Sequence, residues 1–264
     1  MSNLHLPTPG IVETIGAVTG STSGTSVTTA SIAQLAAATS FDYDAICVNA
    51  IGNNISADAA LDIYLGASGS EYTLIDKLRI TKANTNPQGI AAVLPLAVPR
   101  GSRVSAKAYG GTVNTIIQGM GIGTLGDRGY KRAVSMGISS NFGVTIALGA
   151  TANVLTSWTQ IIASTPHHFN GLMVVIGNGQ RSVASNTNAW LVDIAIGASG
   201  SEQAIIKQLY TMSFGNTVFF MTPSFFGPFP CSIPAGSRIS ARAQCNSNGS
   251  TTRNIDVAVY GLIR

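Results

Sequence analysis

The chain has 264 residues and a formal net charge of +4, and only 10% of its residues are charged. An average soluble domain has roughly 25% charged residues, so Ser, Thr, Asn, Gly and Ala stand here where Lys and Glu are usual. This bias disfavours helices and indicates a surface covered by neighbouring subunits, with a monomer of uncharged polar surface as the alternative.

The chain begins with a polar segment, residues 1–20, that contains many small residues and two prolines. We interpret it as an extended arm that either reaches a neighbouring subunit or is disordered. The start, MSNLHLPTPG, lacks the basic and apolar regions of a signal peptide. The longest apolar run, Ile90–Val98, is interrupted by Pro95 and is too short to span a bilayer. We therefore expect synthesis in a host cytoplasm and no membrane partner.

Two parts of the chain have similar sequences, with the block GASGSE identical in both. Residues 61–78 read LDIYLGASGSEYTLIDKL, and residues 192–209 read VDIAIGASGSEQAIIKQL. A second pair of matching blocks follows, PRGSRVSAKA at 99–108 and PAGSRISARA at 234–243. Because the blocks recur in the same order, the chain is a tandem duplication of one module of roughly a hundred residues or slightly more.

Apolar and polar residues alternate within each copy, for example along residues 61–65 and 104–108. Alternation indicates β-strands with one face in a core, and Gly, Ser and Asn turns separate these runs. We predict an all-β protein made of two tandem antiparallel β-sandwich or jelly-roll-like domains. The predicted domains are residues 21–124 and 136–264, with a linker at 125–135.

The predicted linker overlaps the densest group of charges, DRGYKR at residues 127–132. It is shorter than the basic runs that follow a phosphate backbone, so we interpret it as a solvated linker and expect no nucleic-acid partner. The three cysteines, Cys47, Cys231 and Cys245, are too few for a disulfide framework. Pairing of Cys231 with Cys245 stays open, because it depends on which strands are adjacent.

The repeated block Gly66–Ser70 is similar to the nucleophile elbow G-x-S-x-G. Its fifth residue is Ser instead of Gly, and the sequence predicts no strand-to-helix turn, so a hairpin turn is the better interpretation. The residues that define the repeat are Asp62, Gly66, Gly69, Glu71 and Arg103, and in the second copy Asp193, Gly197, Gly200, Glu202 and Arg238.

Two carboxylates flank the turn in each copy, Asp62 with Glu71 and Asp193 with Glu202. Such a pair is what glycoside hydrolysis requires, but its recurrence in both copies favours a structural role. We expect each aspartate to form a cross-strand ion pair with the arginine of its repeat. The expected pairs are Asp62–Arg103 and Asp193–Arg238.

The histidine pair His167-His168 is a poor metal site, because adjacent side chains on a strand point to opposite faces, and we expect no metal or cofactor. Aromatic residues are the candidates for an interface with another subunit. They are Trp158, Trp190, Phe225, Phe226 and Phe229. Packing in a core or an interface is the preferred interpretation, and stacking on a glycan is the alternative.

The pattern D-I-x-I/L-G-A-S-G-S-E, followed by P-x-G-S-R-I/V-S-A-R/K-A, resembles a module of structural proteins of tailed bacteriophages. The resemblance covers most of each half of the chain. It implies a jelly-roll-like virion component and no enzyme, namely a capsid decoration (cement) protein that binds the major capsid protein or other virion proteins. We also expect a homo-oligomer. The alternatives are a tail or fibre component or glycan-binding module, a tandem-jelly-roll capsid subunit and, last, a polysaccharide hydrolase.

Overall fold

The computed structural model describes residues 11–20, 32–52, 58–82, 88–109, 113–121, 129–138, 143–177, 188–213, 223–246 and 253–264. All regular elements in these ranges are β-strands. The first eight are β1 Ile11–Gly20, β2 Ala33–Ala36, β3 Ala45–Gly52, β4 Asp58–Leu65, β5 Tyr72–Lys82, β6 Gln88–Leu94, β7 Val104–Tyr109 and β8 Val113–Gly121. The others are β9 Arg132–Met136, β10 Val144–Leu148, β11 Thr159–Ile162, β12 Phe169–Gly177, β13 Asn188–Ile196, β14 Gln203–Ser213, β15 Ser224–Ile233, β16 Ile239–Cys245 and β17 Arg253–Ile263. The described part of the chain contains no helix with the length and hydropathy of a membrane span.

Strands β1–β8 form the first sandwich, which has two four-stranded antiparallel layers. Layer A has the order β1-β8-β3-β6, and layer B has the order β2-β7-β4-β5. Ile46 and Val48 of layer A share one hydrophobic core with Leu61 and Ile63 of layer B. Leu61 and Ile63 alternate with Asp62, as the sequence predicts for residues 61–65. The strand order is that of an eight-stranded jelly roll.

Strands β9–β17 form the second sandwich and repeat this order. In layer C, β17, β12 and β15 take the places of β8, β3 and β6. The place of β1 is shared by β9 and β10, which both pair with β17, opposite residues 259–263 and 253–257 respectively. Layer D has the order β11-β16-β13-β14. The predictions of an all-β chain and of two β-sandwiches from a duplication are confirmed.

A pair of equivalent glycines shows how closely the two sandwiches correspond. Gly119 of β8 lies beneath the ring of Tyr43, where an added Cβ atom would be 2.7 Å from the ring carbons. In the second sandwich, Gly261 of β17 lies beneath Phe169, and its Cβ atom would be 2.4 Å from that ring. Only glycine fits at such a distance, so both copies place an aromatic ring on a glycine at the same position in the core.

The sandwiches are joined through β9, which pairs with β17 on one side and, in parallel, with β5 through Ile75 and Ala133 on the other. Layers B and C therefore form one continuous nine-stranded sheet.

Two segments that the sequence assigned to an arm and a linker are partly strands. Residues 11–20 form β1, which pairs with β8, and Ile15 of this strand is part of the first core. Residues 1–10 of the predicted arm and 122–128, which contain the start of the linker, lie outside the described residues. The rest of the predicted linker contains the buried Tyr130 and the start of β9. Both pack in the joint between the sandwiches.

Candidate functional site

The repeated turn GASGSE connects β4 to β5, and β13 to β14, as an antiparallel hairpin. Gly66 and Gly69 have φ angles of 116° and 83°, in the left-handed region that favours glycine. The corresponding Gly197 and Gly200 have 119° and 84°. The interpretation of this block as a hairpin turn instead of a nucleophile elbow is confirmed, and the backbone conformation explains why its glycines recur.

Arg103 holds this turn against two other strands. Its Nη1 donates to Glu71 Oε1 at 2.8 Å and to the carbonyl of Gly66 at 3.2 Å, and its Nε donates to Gln34 Oε1 at 2.9 Å. Glu71 also accepts the N–H of Gly69 at 2.8 Å. We call these five residues the first clamp. It joins the β4–β5 turn, the segment before β7, and β2.

The second sandwich contains the same clamp with nearly the same distances. Arg238 donates to Glu202 at 2.9 Å, to the carbonyl of Gly197 at 3.3 Å and to Gln160 at 3.0 Å. The N–H of Gly200 donates to Glu202 at 2.8 Å. The two most similar sequence blocks therefore recur because each contributes one half of the same hydrogen-bond network.

The expected pairs of Asp62 with Arg103 and of Asp193 with Arg238 are wrong. Asp62 lies opposite Lys107 in the register of β4 and β7, whereas Arg103 precedes β7 and reaches the turn. The sequence pattern identified the correct face of each strand but not the register along it.

The aspartates instead stabilise a bulge in the next strand. Asp62 Oδ1 accepts the N–H of Lys77 at 2.6 Å, and Asp193 Oδ1 accepts the N–H of Gln208 at 2.9 Å. Lys77 and Gln208 have φ angles of 47° and 57°, which are uncommon for residues other than glycine. Asp193 also pairs with Arg242 at 2.9 Å. Each aspartate thus supports a strained backbone position.

The clamp lowers the pKa of both glutamates. At Glu71 the largest cause is the hydrogen bond from its own backbone N–H, and Arg103 adds to it against the opposing effect of burial. At Glu202 burial is the largest single effect and raises the pKa, but its own N–H, Arg238 and Gly200 together outweigh it. A glycosidase general acid needs a raised pKa, so neither glutamate has the properties of that group.

The clamp makes the protein sensitive to acid. The folded-state pKa of Glu71 and Glu202 lies below the unfolded value, so their stabilisation is complete above the ordinary glutamate pKa. It is lost as the pH falls through the lowered pKa. We expect the double variant Glu71→Gln/Glu202→Gln to melt at a lower temperature than the parent protein at pH 7, and the difference to shrink as acid protonates both glutamates of the parent. Calorimetry at pH 7 and at a series of lower pH values checks this. A difference in melting temperature that stays the same at every pH would contradict it.

The aromatic candidates lie in different environments. Trp190 is in the second core with 2% of its surface exposed, so it is not available to another subunit. Trp158 is partly exposed, and the guanidinium of Arg242 stacks 4.3 Å from the centre of its ring. The phenylalanines of β15 are partly buried: Phe225 packs against the first core, and Phe226 and Phe229 pack against the second.

The histidines and cysteines are the remaining candidates. His167 and His168 are exposed, and His167 packs edge-to-face on Phe169 at 6.3 Å. No group of three metal-ligating side chains occurs among the described residues. Cys47, Cys231 and Cys245 are free thiols, so Cys231 is not paired with Cys245; Cys231 is in layer C and Cys245 in layer D.

Comparison with known proteins gives distant similarities alone. No family model and no curated protein matches the chain. Among solved structures, PNGase F, a glycosylasparaginase from Flavobacterium meningosepticum, is 11% identical with a TM-score of 0.32, over 94% of this chain and 96% of that one. The infectious bursal disease virus Gx strain structure is 11% identical with a TM-score of 0.29, over 96% and 72%. The CBM22-1-CBM22-2 tandem domain of Paenibacillus barcinonensis Xyn10C is 8% identical with a TM-score of 0.27, over 97% and 92%. Similarity at this level transfers no function to this chain.

Proposed function

We propose that the protein is a non-enzymatic structural component of a virus particle, specifically a capsid decoration protein that stabilises the shell by binding neighbouring capsid subunits. The observation that supports this most is the duplicated clamp. Its charged residues, which are also the best candidates for chemistry, are engaged in the same structural contacts in both sandwiches. A chain that contains two copies of the same scaffold can present two similar contact faces.

The surface agrees with a role in an assembly. Several large apolar side chains are exposed on the strands and loops, although only 10% of all residues are charged. Val12, Val93 and Val154 are 60%, 59% and 56% exposed. A stable protein interface buries roughly 1,200 Å² or more and has few charges at its centre, and an apolar, weakly charged surface meets that condition.

The two tryptophans give little support to the alternative of a glycan-binding fibre module. Sugar binding by β-sandwiches relies on exposed aromatic rings, and Trp190 is buried while Arg242 stacks on Trp158, although Tyr72 and Tyr210 are 53% and 52% exposed. A groove of about 550 Å³ lies between the two repeat blocks of the second sandwich, beside Arg238. None of the described residues that line this groove is aromatic.

The test is the number of copies of this protein in purified particles from its source, measured by quantitative mass spectrometry against the major shell protein. A ratio near that of the shell protein is the expected result. A few copies per particle would overturn decoration in favour of a tail or fibre component, which glycan arrays would then examine. Absence from particles would overturn the virion proposal altogether.

A further inference from the structure

The joint between the sandwiches buries an apolar face of layer C. Met173, Val175, Ala258, Tyr260 and Leu262 point away from the second core and belong to the hydrophobic core of the first sandwich. We call them, with Ala133 of β9, the covered face. Its position on the first sandwich is fixed by hydrogen bonds, because the hydroxyl of Tyr260 donates to the carbonyl of Lys77 at 2.8 Å and accepts the N–H of Arg79 at 3.0 Å.

The first sandwich contributes the β5 edge of layer B to this joint. Ile75 of β5 pairs with Ala133, and Leu74 and Arg79 of the same strand are 0% and 1% exposed. Ala60 lies opposite Arg79 on β4 and is also 0% exposed. We call Ala60, Leu74, Ile75 and Arg79 the covering edge.

The duplication gives both surfaces a counterpart at the other end of the chain. Because the turn glycines, the bulge residues and the aromatic–glycine pairs coincide, the two copies can be matched strand by strand. Layer D repeats the covering edge on β13 and β14, with Leu191, Ile205, Ile206 and Tyr210. Layer A repeats the covered face, with Val12, Cys47, Asn49, Gln118 and Met120.

Three positions that are buried at the joint are exposed at the two ends, whereas Ile206, the counterpart of Ile75, is 9% exposed and packs in the second core. Leu74 is 0% exposed and its counterpart Ile205 is 38% exposed; Arg79 is 1% exposed and its counterpart Tyr210 is 52% exposed. On the face, Ala133 is 0% exposed, whereas Val12 is 60% exposed. Among the described residues, nothing covers the β14 edge or the outer face of layer A at these positions, and the chain joins a similar edge and face internally.

We infer that the partner at both ends is a second copy of this chain. The β14 edge of one copy binds the outer face of layer A in the next copy and repeats the joint, with β14 alongside β1 as β5 lies alongside β9. Such a contact is head-to-tail, because the two surfaces differ. Head-to-tail contacts give closed rings when the rotation between copies closes and filaments when it does not.

The contact between copies is weaker than the joint. The buried pair of Arg79 and Asp256 has no counterpart, because Tyr210 and Asn114 occupy those positions. Asn49 and Gln118, which hydrogen-bond to each other at 3.1 Å, stand where the covered face has Val175 and Tyr260. A face with more polar groups and no buried ion pair forms a reversible interface. Association is therefore expected to depend on protein concentration.

Sedimentation velocity of the purified chain over a concentration series tests this inference, and it does not depend on whether the protein occurs in a virus. The wild-type chain is expected to associate. Val12→Glu blocks the face and Ile205→Glu blocks the edge, and each is expected to weaken self-association by about tenfold or more, since a charge is buried without a partner. Val154→Glu is the matched control, because Val154 is 56% exposed and lies on neither surface.

Mixing the two variants gives the decisive result. The Val12→Glu copy keeps its edge and the Ile205→Glu copy keeps its face, so an equal mixture is expected to form one-to-one dimers and nothing larger. Circular dichroism confirms that both variants are folded. A wild-type chain that stays monomeric at all concentrations, variants that associate like Val154→Glu, or a mixture without dimers would each overturn the inference.

Discussion

Replacing Asp256 by Ala is expected to lower the free energy of unfolding by about 3–5 kcal/mol, because it leaves Arg79 charged and buried without its partner. Both side chains are 2% exposed, and Arg79 Nη2 lies 3.4 Å from Asp256 Oδ2. The Nε and Nη1 atoms of Arg79 have no hydrogen-bond partner among the described residues, so no other group in this part of the chain replaces the carboxylate. Urea unfolding at neutral pH, followed by circular dichroism, measures the change.

The double variant Arg79→Met/Asp256→Leu is the control for this prediction. Replacing both members of a buried ion pair by apolar side chains is often neutral or stabilising, so most of the loss should be recovered. A loss below about 1 kcal/mol for Asp256→Ala alone would contradict buried pairing and would indicate that water reaches the joint. The hydroxyl of Thr145 donates to Asp256 Oδ1 at 2.7 Å, and both variants remove this acceptor, so the loss of that hydrogen bond is common to both.

Trp190→Ala is expected to cost a similar amount, about 3–5 kcal/mol, because it removes one of the largest fully buried side chains from the second core. The loss should be the same at every protein concentration, since the side chain contacts no other subunit. Circular dichroism is the suitable probe, because the substitution removes one of only two tryptophans.

Trp158→Ala is the matched control, because it changes the other tryptophan at a partly exposed site. It removes the stacking of Arg242 on the ring, an interaction of about 0.5–1 kcal/mol. A Trp190→Ala variant that is as stable as Trp158→Ala would show that Trp190 is outside the core. A loss that depends on concentration would restore the interface interpretation.

The alternation along residues 61–65 and the two matching blocks were sufficient to predict the duplicated β-sandwiches, because strand periodicity and turn chemistry are local properties. The partner of Arg103 was not predictable in this way. Alternation places Asp62 and Arg103 on one face, but the register that sets Asp62 opposite Lys107 arises only when β4 and β7 are paired. The division of the β1 position between β9 and β10 likewise has no signature in the repeated blocks.

The similarity of the two modules allows wrong pairing during folding, and the joint contains residues that distinguish one module from the other. Tandem repeats of similar sequence misassemble when a strand of one copy pairs within the other, and the two clamps here are interchangeable in chemistry. Arg79 and Asp256 are not, since their counterparts Tyr210 and Asn114 are uncharged. A chain that folds with β14 in the place of β5 would set Tyr210 beside Asp256 and leave this buried carboxylate without its partner, so the pair favours the correct order of the two modules.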